Sequence, residues 1–194
     1  RSIRSRRCAS TSAARIGAGE LVRSAEVSFV VQAPQYTLSK QVEVEGLGGF
    51  LPGASVLYAL RLTNTGAEDL VAAQIVDPVD LARLVDIEPL DGGLFDARRG
   101  TVEWGAPATP ALARLAPGDT VIVRLRARIA PALQPGDAIS NQATAQARAG
   151  APVLSDDPEL PGDRDETVIE VVGGANWDVQ KDVAAPRRAE IAAG

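Results

Sequence analysis

Apolar and polar residues alternate in one segment of the chain after another, and this pattern restricts the fold more than any other feature. Residues 56–63 place four apolar side chains on one side of an extended chain: Val56, Tyr58, Leu60 and Leu62. Residues 121–129 repeat the pattern and place three arginines on the opposite side: Arg124, Arg126 and Arg128. A period of two residues is typical of antiparallel strands with one buried face. We therefore expect an all-β fold.

About seven such strands are predicted between residues 34 and 172, separated by turn signals rich in Gly, Pro, Asn and Asp. The other strand candidates are residues 37–45, 70–77, 101–105, 138–148 and 167–172. A helix is indicated only for a short stretch at residues 80–84. Aromatic residues make up 4% of the chain, so the core must consist mainly of Val, Leu, Ile and Ala. This set of short strands fits an immunoglobulin-like Greek-key β-sandwich.

A second pattern concerns the two ends of the sequence. Residues 35–42 (QYTLSKQV) resemble residues 176–183 (NWDVQKDV), which lie 141 positions further on, a domain-length repeat. We expect the tail of a preceding repeat or a flexible arm at 1–33, and the sandwich at 34–172. Residues 173–194 are then a linker with the first strand of a following repeat, or with a strand donated to a neighbour. A single strand cannot bury its apolar face, so residues 177–183 are expected to pair with another domain.

The residue types that the chain lacks exclude several kinds of chemistry. It has no His and a single Cys, Cys8, so serine–histidine catalysis, His-ligated metals and internal disulfides are ruled out. The net charge of -5 disfavours nucleic acid as a partner, because phosphate binding needs a basic face. No apolar run approaches the roughly 20 residues that span a bilayer. We expect a protein that is not an enzyme and that uses no cofactor other than, at most, calcium.

Six short motifs in order resemble the bacterial and archaeal conserved-repeat domain (domain of unknown function eleven), an immunoglobulin-like module of surface and secreted proteins. The matching segments lie at 56–66 (VLYALRLTNTG), 75–78 (IVDP), 100–104 (GTVEW), 115–119 (LAPGD), 141–145 (NQATA) and 155–163 (SDDPELPGD). Together they cover about residues 36–172. The chain departs from the family at residues 79–83, where the family more often has a short loop.

The resemblance implies display in tandem arrays at a cell surface and implies no catalytic activity. The function expected is that of a structural or adhesive module of a secreted or cell-surface protein. It would act as a spacer, or as a subunit joined edge to edge with neighbouring repeats or identical subunits in an array or filament. The alternative is a module that binds glycan or protein through loops at one end of the sandwich. Exposed aromatic residues on such loops, with Trp104, Trp177 and Tyr36 as candidates, would favour the alternative.

Three polar residues fall on apolar faces of predicted strands. Lys40 shares a face with Leu38 and Val42, and Lys181 holds the matching position in the second copy; the chain has no other lysine. Asn141 lies in the row of residues 139–147 and Asp77 in the row of residues 71–75. A lysine, an asparagine and an aspartate on the apolar faces of first, late and middle strands are what a self-formed isopeptide bond requires.

Each of the three residues also has an ordinary interpretation. Lys40 would pack its stem inward and extend its ammonium to the sheet margin. Asp77 would be a turn residue before Pro78, and Asn141 a hydrogen-bonded core amide.

The acidic stretch at residues 156–166 offers oxygen ligands of the kind that Ca²⁺ prefers. The candidate ligands are Asp156, Asp157, Asp163 and Asp165. The spacing is not that of an EF-hand, and a solvated loop is the alternative. Trp104 shares a face with Val102, so it is expected to fill the core rather than to stack on a sugar.

Overall fold

The computed structural model describes residues 35–174 of the chain. Thirteen strands and one short 3-10 helix (Pro110–Ala113) make up its regular structure. The strands are β1 (Tyr36–Val44), β2 (Ser55–Asn64), β3 (Leu70–Val71), β4 (Gln74–Pro78), β5 (Leu84–Pro89), β6 (Leu94–Asp96), β7 (Thr101–Gly105), β8 (Arg114–Leu115), β9 (Thr120–Ile129), β10 (Ala138–Asn141), β11 (Thr144–Gln146), β12 (Val153–Asp156) and β13 (Thr167–Glu170).

Nine of the strands form one sheet in the order β5-β9-β2-β1-β12-β11-β4-β7-β6. The two terminal strands of this order, β5 and β6, contact each other, so the sheet closes on itself as two facing layers. The layer of β5, β9, β2 and β1 is antiparallel, and β12 joins it to the second layer through a short parallel pairing with β1. Two small ladders, β10 with β13 and β3 with β8, complete the structure. The predicted all-β sandwich is confirmed.

Alternation along the two longest strands builds the core. In β2 the side chains that alternate inward are fully buried: Val56, Tyr58, Leu60 and Leu62. In β9 the buried positions are Val123, Leu125, Ala127 and Ile129, and the three arginines between them face solvent as predicted. These arginines form ion pairs along the outer face: Arg124 with Asp91, Arg126 with Glu45 and Glu88, and Arg128 with Asp86. They are exposed, so each pair contributes little to stability.

The strand predicted at residues 70–77 is two strands. Ala72 has a positive φ of 50°, which breaks the extended chain between β3 and β4. The break also changes which side faces inward, because Leu70 is buried before it while Ala73, Ile75 and Asp77 are buried after it. The prediction that Val71 shares the inward row with Asp77 is therefore wrong.

The strand predicted at residues 138–148 is also divided. β10 pairs with β13, whereas β11 pairs with β12 and β4. Its inward row is nevertheless as predicted, with the following residues buried: Ile139, Asn141, Ala143, Ala145 and Ala147.

Residues 80–84 are not helical. The Leu84 amide donates to the Asp80 carbonyl at 2.8 Å, and this single turn leads directly into β5. The short helix lies instead at residues 110–113, where Pro110 occupies its first turn. The sequence pattern did not predict strands β5, β6, β8 and β12.

Candidate functional site

Lys40 is the largest departure from an apolar core. It lies in the middle of β1 with no exposed surface, and its Nζ donates to Asp77 Oδ1 at 2.5 Å. The ring of Tyr58 lies beside the same nitrogen, 4.8 Å from Nζ to the ring centroid. The ammonium therefore does not reach the sheet margin, which was the ordinary interpretation of this residue.

Asp77 comes to the site from the opposite layer. It lies on β4, next to the Pro78 that ends the strand, and it is fully buried. One carboxylate oxygen accepts from Lys40, and the other, Oδ2, has no hydrogen-bond partner. Because Ile75 and Ala73 are buried in the same row, the strand itself aims Asp77 inward, so it is not a solvent-facing turn residue.

Asn141 is the third buried polar residue and lies at the end of β10. Its side chain is close enough to lower the pKa of Asp77. Neither amide atom completes a hydrogen bond, although the residue is only 5% exposed. Its polar neighbour is the Asp77 carboxyl, so the amide is less well satisfied than the ordinary interpretation requires.

Unpaired polar atoms are concentrated at this site. Within residues 35–174, six buried side-chain atoms have no hydrogen-bond partner, and four of the six belong to three residues here: Tyr58, Asp77 and Asn141. Each such atom costs about 1–3 kcal/mol. Native proteins leave few of these atoms, so a group of them in one place marks a candidate functional site.

Burial shifts both members of the ion pair toward their neutral forms. Loss of solvation lowers the pKa of Lys40, an effect opposed by the charge of Asp77 and its hydrogen bond. Loss of solvation likewise raises the pKa of Asp77, opposed by Lys40 and by Asn141. The proton on the amine can therefore move to the carboxyl over a 2.5 Å hydrogen bond, leaving a neutral, nucleophilic amine.

Two further residues hold the backbone around the site, and sequence reasoning missed both. The buried Thr167 hydroxyl donates to the Lys40 carbonyl at 2.9 Å. The Ser155 hydroxyl accepts from the Ala143 amide at 2.9 Å, two residues after Asn141. For Thr167 a signal was present, because it shares an inward row with Ile169 and Val171.

The acidic loop does not gather its carboxylates. Asp156 Oδ1 accepts from the backbone amides of Arg164 and Asp165, and Asp157 Oδ1 accepts from that of Glu159. Among residues 35–174 no group of three or more acidic, His or Cys side chains could hold a metal ion. Calcium binding by Asp156, Asp157, Asp163 and Asp165 stays a prediction, to be tested by whether EDTA lowers and calcium restores the melting temperature.

Two of the three aromatic candidates for sugar binding are inside the protein. Trp104 is fully buried, and its indole N–H donates to the Leu90 carbonyl at 2.8 Å. Tyr36 is buried too, and its hydroxyl donates to the Ala151 carbonyl. Trp177, Lys181, Cys8 and the repeat segments at residues 1–33 and 175–194 lie outside the described residues. No helix in the described part of the chain is long and apolar enough to cross a membrane.

Comparisons with known proteins give likenesses of fold at low sequence identity. No protein-family model and no curated protein matches the sequence, so the resemblance to the conserved-repeat domain stays a prediction. An uncharacterized Nocardia farcinica protein, described as having an immunoglobulin-like fold, is 14% identical with a TM-score of 0.46. That match covers 69% of this chain and 99% of the other.

A pilin subunit and a fimbrial adhesin are among the other similar structures. A variant of BcpA, the major pilin subunit of Bacillus cereus, is 10% identical with a TM-score of 0.46, over 78% of this chain and 51% of that one. The Actinomyces fimbrial adhesin FimA is 15% identical with a TM-score of 0.38, over 67% of this chain and 54% of that one. The matches thus span about half the length of the pilin and of the adhesin.

Proposed function

We propose that the chain is a non-enzymatic structural or adhesive module of a secreted or cell-surface protein, and that it cross-links itself through an isopeptide bond between Lys40 and Asn141. The observation that carries the cross-link is the fully buried pair of Lys40 and Asp77, 2.5 Å apart, beside an asparagine amide without partners. The surface location is supported by the motifs that resemble the conserved-repeat domain.

The reaction needs no group from outside the chain. The proton of the Lys40 ammonium moves to Asp77, and the neutral Nζ attacks the side-chain Cγ of Asn141. Asp77 hydrogen-bonds to the amide oxygen and then passes its proton to the departing nitrogen. The Nζ–Cγ bond forms, the Cγ–Nδ2 bond breaks and ammonia leaves. The Lys40 nitrogen loses one further proton as it becomes an amide, and Asp77 takes up that proton.

The bond would remove the energetic penalty of the site and restrain the unfolded chain. It replaces a buried charge pair by a neutral amide. It also closes a loop over the 100 residues between Lys40 and Asn141. By analogy with a disulfide, closing a loop of this length contributes about 4–5 kcal/mol. A module without internal disulfides gains most from such a bond.

Intact-mass spectrometry of the folded, then denatured, protein tests the cross-link. The wild-type chain should weigh one ammonia less than its sequence, and Lys40→Arg, Asp77→Asn and Asn141→Ala should each weigh their full sequence mass. Trypsin should leave the bond after Lys40 uncut and yield that peptide joined to the one containing Asn141. A wild-type chain at its full mass would contradict the proposal. Loss of one water that persists in Asn141→Ala would instead identify Asp77 as the acyl donor.

We also propose that the module joins its neighbours edge to edge. Support comes from the sequence repeat at residues 176–183, which lies outside the described residues. Strand addition supplies main-chain hydrogen bonds along the whole length of an added strand. Deletion of residues 173–194 should abolish assembly measured by light scattering, while Asn141→Ala should leave it intact. Normal assembly by the truncated chain would exclude this segment as the link.

A further inference from the structure

Among residues 35–174, Tyr58 is the aromatic residue whose ring lies against the Lys40 ammonium. In the β1–β2 ladder Lys40 is opposite Leu60, and Tyr58 is opposite Val42, so Tyr58 and Lys40 are diagonal neighbours on the same inward face. Diagonal neighbours are within reach of aromatic and long side chains. Tyr58 is fully buried, as is Lys40.

The ring holds the ammonium from a second direction. Asp77 Oδ1 is 2.5 Å from Lys40 Nζ, and the centroid of the Tyr58 ring is 4.8 Å from the same atom. A cation at this distance from a ring is attracted by the ring quadrupole, and the attraction is stronger where water is excluded. The Tyr58 hydroxyl is buried without a hydrogen-bond partner, so no hydrogen bond anchors it at another place.

We propose that Tyr58 is a positioning residue for the cross-link: its ring holds the Lys40 ammonium against Asp77 and releases the amine toward Asn141 once the proton has moved. This inference rests on the proposed self-cross-linking. The release follows from the physics of the contact, because a neutral amine has no cation–π attraction. The freed amine then lies beside protonated Asp77, whose own neighbour is the unpartnered Asn141 amide.

The other residues next to Lys40 differ from Tyr58 in what they contact. On β13 the Thr167 hydroxyl bonds to the Lys40 carbonyl rather than to its side chain. On β2 the directly opposite residue, Leu60, is apolar. Asp77 on β4 is the one buried carboxylate that pairs with Lys40 among residues 35–174. The ring of Tyr58, and not its hydroxyl, is therefore the feature that the test must remove.

The first test is a time course of cross-linking. Chains isolated in denaturant are diluted into native buffer, and samples are quenched and weighed for the loss of one ammonia. Tyr58→Leu makes the neutral amine easier to form but leaves Nζ unplaced; because misplacing a reacting group costs more than this gains, the loss should slow on the order of tenfold, and Tyr58→Phe should restore most of the rate. Leu125→Ala is the matched control for truncation of a buried side chain, since Leu125 is buried opposite Tyr58 on β9 and the variant keeps the Tyr58 ring. A wild-type rate in Tyr58→Leu, or equal slowing in Leu125→Ala, would overturn the proposal.

The second test does not depend on the cross-link. In the Asn141→Ala chain, NMR titration of the lysine ε-carbons reports the two lysines of the sequence, with Lys181 as the internal reference. Adding Tyr58→Leu should lower the pKa of Lys40 further, whereas Tyr58→Phe should leave it unchanged. An unchanged Lys40 titration in the Leu variant would show that the ring does not hold the ammonium. A wild-type chain at full mass would contradict the cross-link itself, and this titration would still decide the role of the ring.

Discussion

Asn141 and Thr167 are partners in the ladder between β10 and β13, and the Thr167 hydroxyl donates to the carbonyl of Lys40 at 2.9 Å. The late ladder is therefore attached to the first strand at the residue proposed to carry the cross-link. A bond from Lys40 to Asn141 would add a covalent connection where the structure already has a hydrogen bond. A force applied at the two ends of the sandwich would then pass from β1 to β10 without passing through the residues between them.

Single-molecule stretching between the chain termini should show this bypass. With the proposed cross-link formed, the 100 residues between Lys40 and Asn141 in the wild-type chain cannot extend, because the bond closes them in a loop. In Asn141→Ala the same residues should add about 350 Å of contour length at roughly 3.5 Å per residue. Equal extension of the two chains would show that the bond does not form or does not lie on the path of the force.

The same pair of chains should differ in equilibrium stability. Asn141→Ala should lose about 4–5 kcal/mol of unfolding free energy through loss of the closed loop, measured by urea unfolding. Gln142→Ala is a suitable control, because the neighbouring amide donates only to the carbonyls of Ser155 and Arg164. Its loss should cost no more than about 1–3 kcal/mol. Equal losses in the two variants would argue that Asn141 contributes only as a packed amide.

The inward faces of the strands that carry Lys40, Asp77 and Asn141 could be predicted from the sequence, but the contact between those faces could not. Alternation placed Lys40 and Asn141 inward because the side-chain period of a strand is fixed at two residues. That Lys40 meets Asp77 depends on closure of the nine-stranded sheet, which brings β1 against β4 from the opposite layer. Closure is a property of all the strands together, and no local pattern reports it.

Local breaks explain most of the other differences from the predictions. The positive φ of Ala72 has no signal in an apolar run, because alanine rarely adopts it. Strand β5 was not predicted because Asp86 also has a positive φ and a bulge interrupts its register with β9. Calcium binding by the acidic loop stays a prediction from composition; in the structure Asp156 and Asp157 accept hydrogen bonds from backbone amides.

Asn64, from the turn signal Asn64-Thr65-Gly66, should prove important for folding. Its buried side chain donates to the carbonyls of Glu68 and Leu115, at 2.8 and 3.0 Å, and accepts from the Gly66 amide at 3.0 Å. Asn64→Ala leaves two carbonyls and one amide without these partners, so we expect a loss of about 2–4 kcal/mol in urea unfolding. A loss below about 1 kcal/mol would mean that water replaces the side chain at this turn.

The buried pair should give the chain without a cross-link an unusual pH dependence of stability. The folded pKa of Asp77 is raised, so its contribution is fully present below the ordinary value of 3.8 and is lost as pH rises through the folded value. The folded pKa of Lys40 is lowered, so its contribution is fully present above 10.5 and is lost as pH falls through the folded value. The two effects together mean that the pair contributes least to the unfolding free energy at pH values between the two folded pKa values.

Comparison of two chains isolates this minimum. The first is Asn141→Ala, and the second adds Lys40→Met and Asp77→Leu, which remove both charges and keep the site filled. The unfolding free energy of the first chain minus that of the second should reach its minimum in the middle of the pH range. On either side of the minimum, this difference should change by at most about 1.4 kcal/mol per pH unit, which corresponds to one proton. Because the lysine and the aspartate hold one proton between them in both folded and unfolded chains at mid-range pH, the difference should not change with pH there. A difference that instead peaks at mid-range pH would mean that the ion pair stabilises the fold despite its burial.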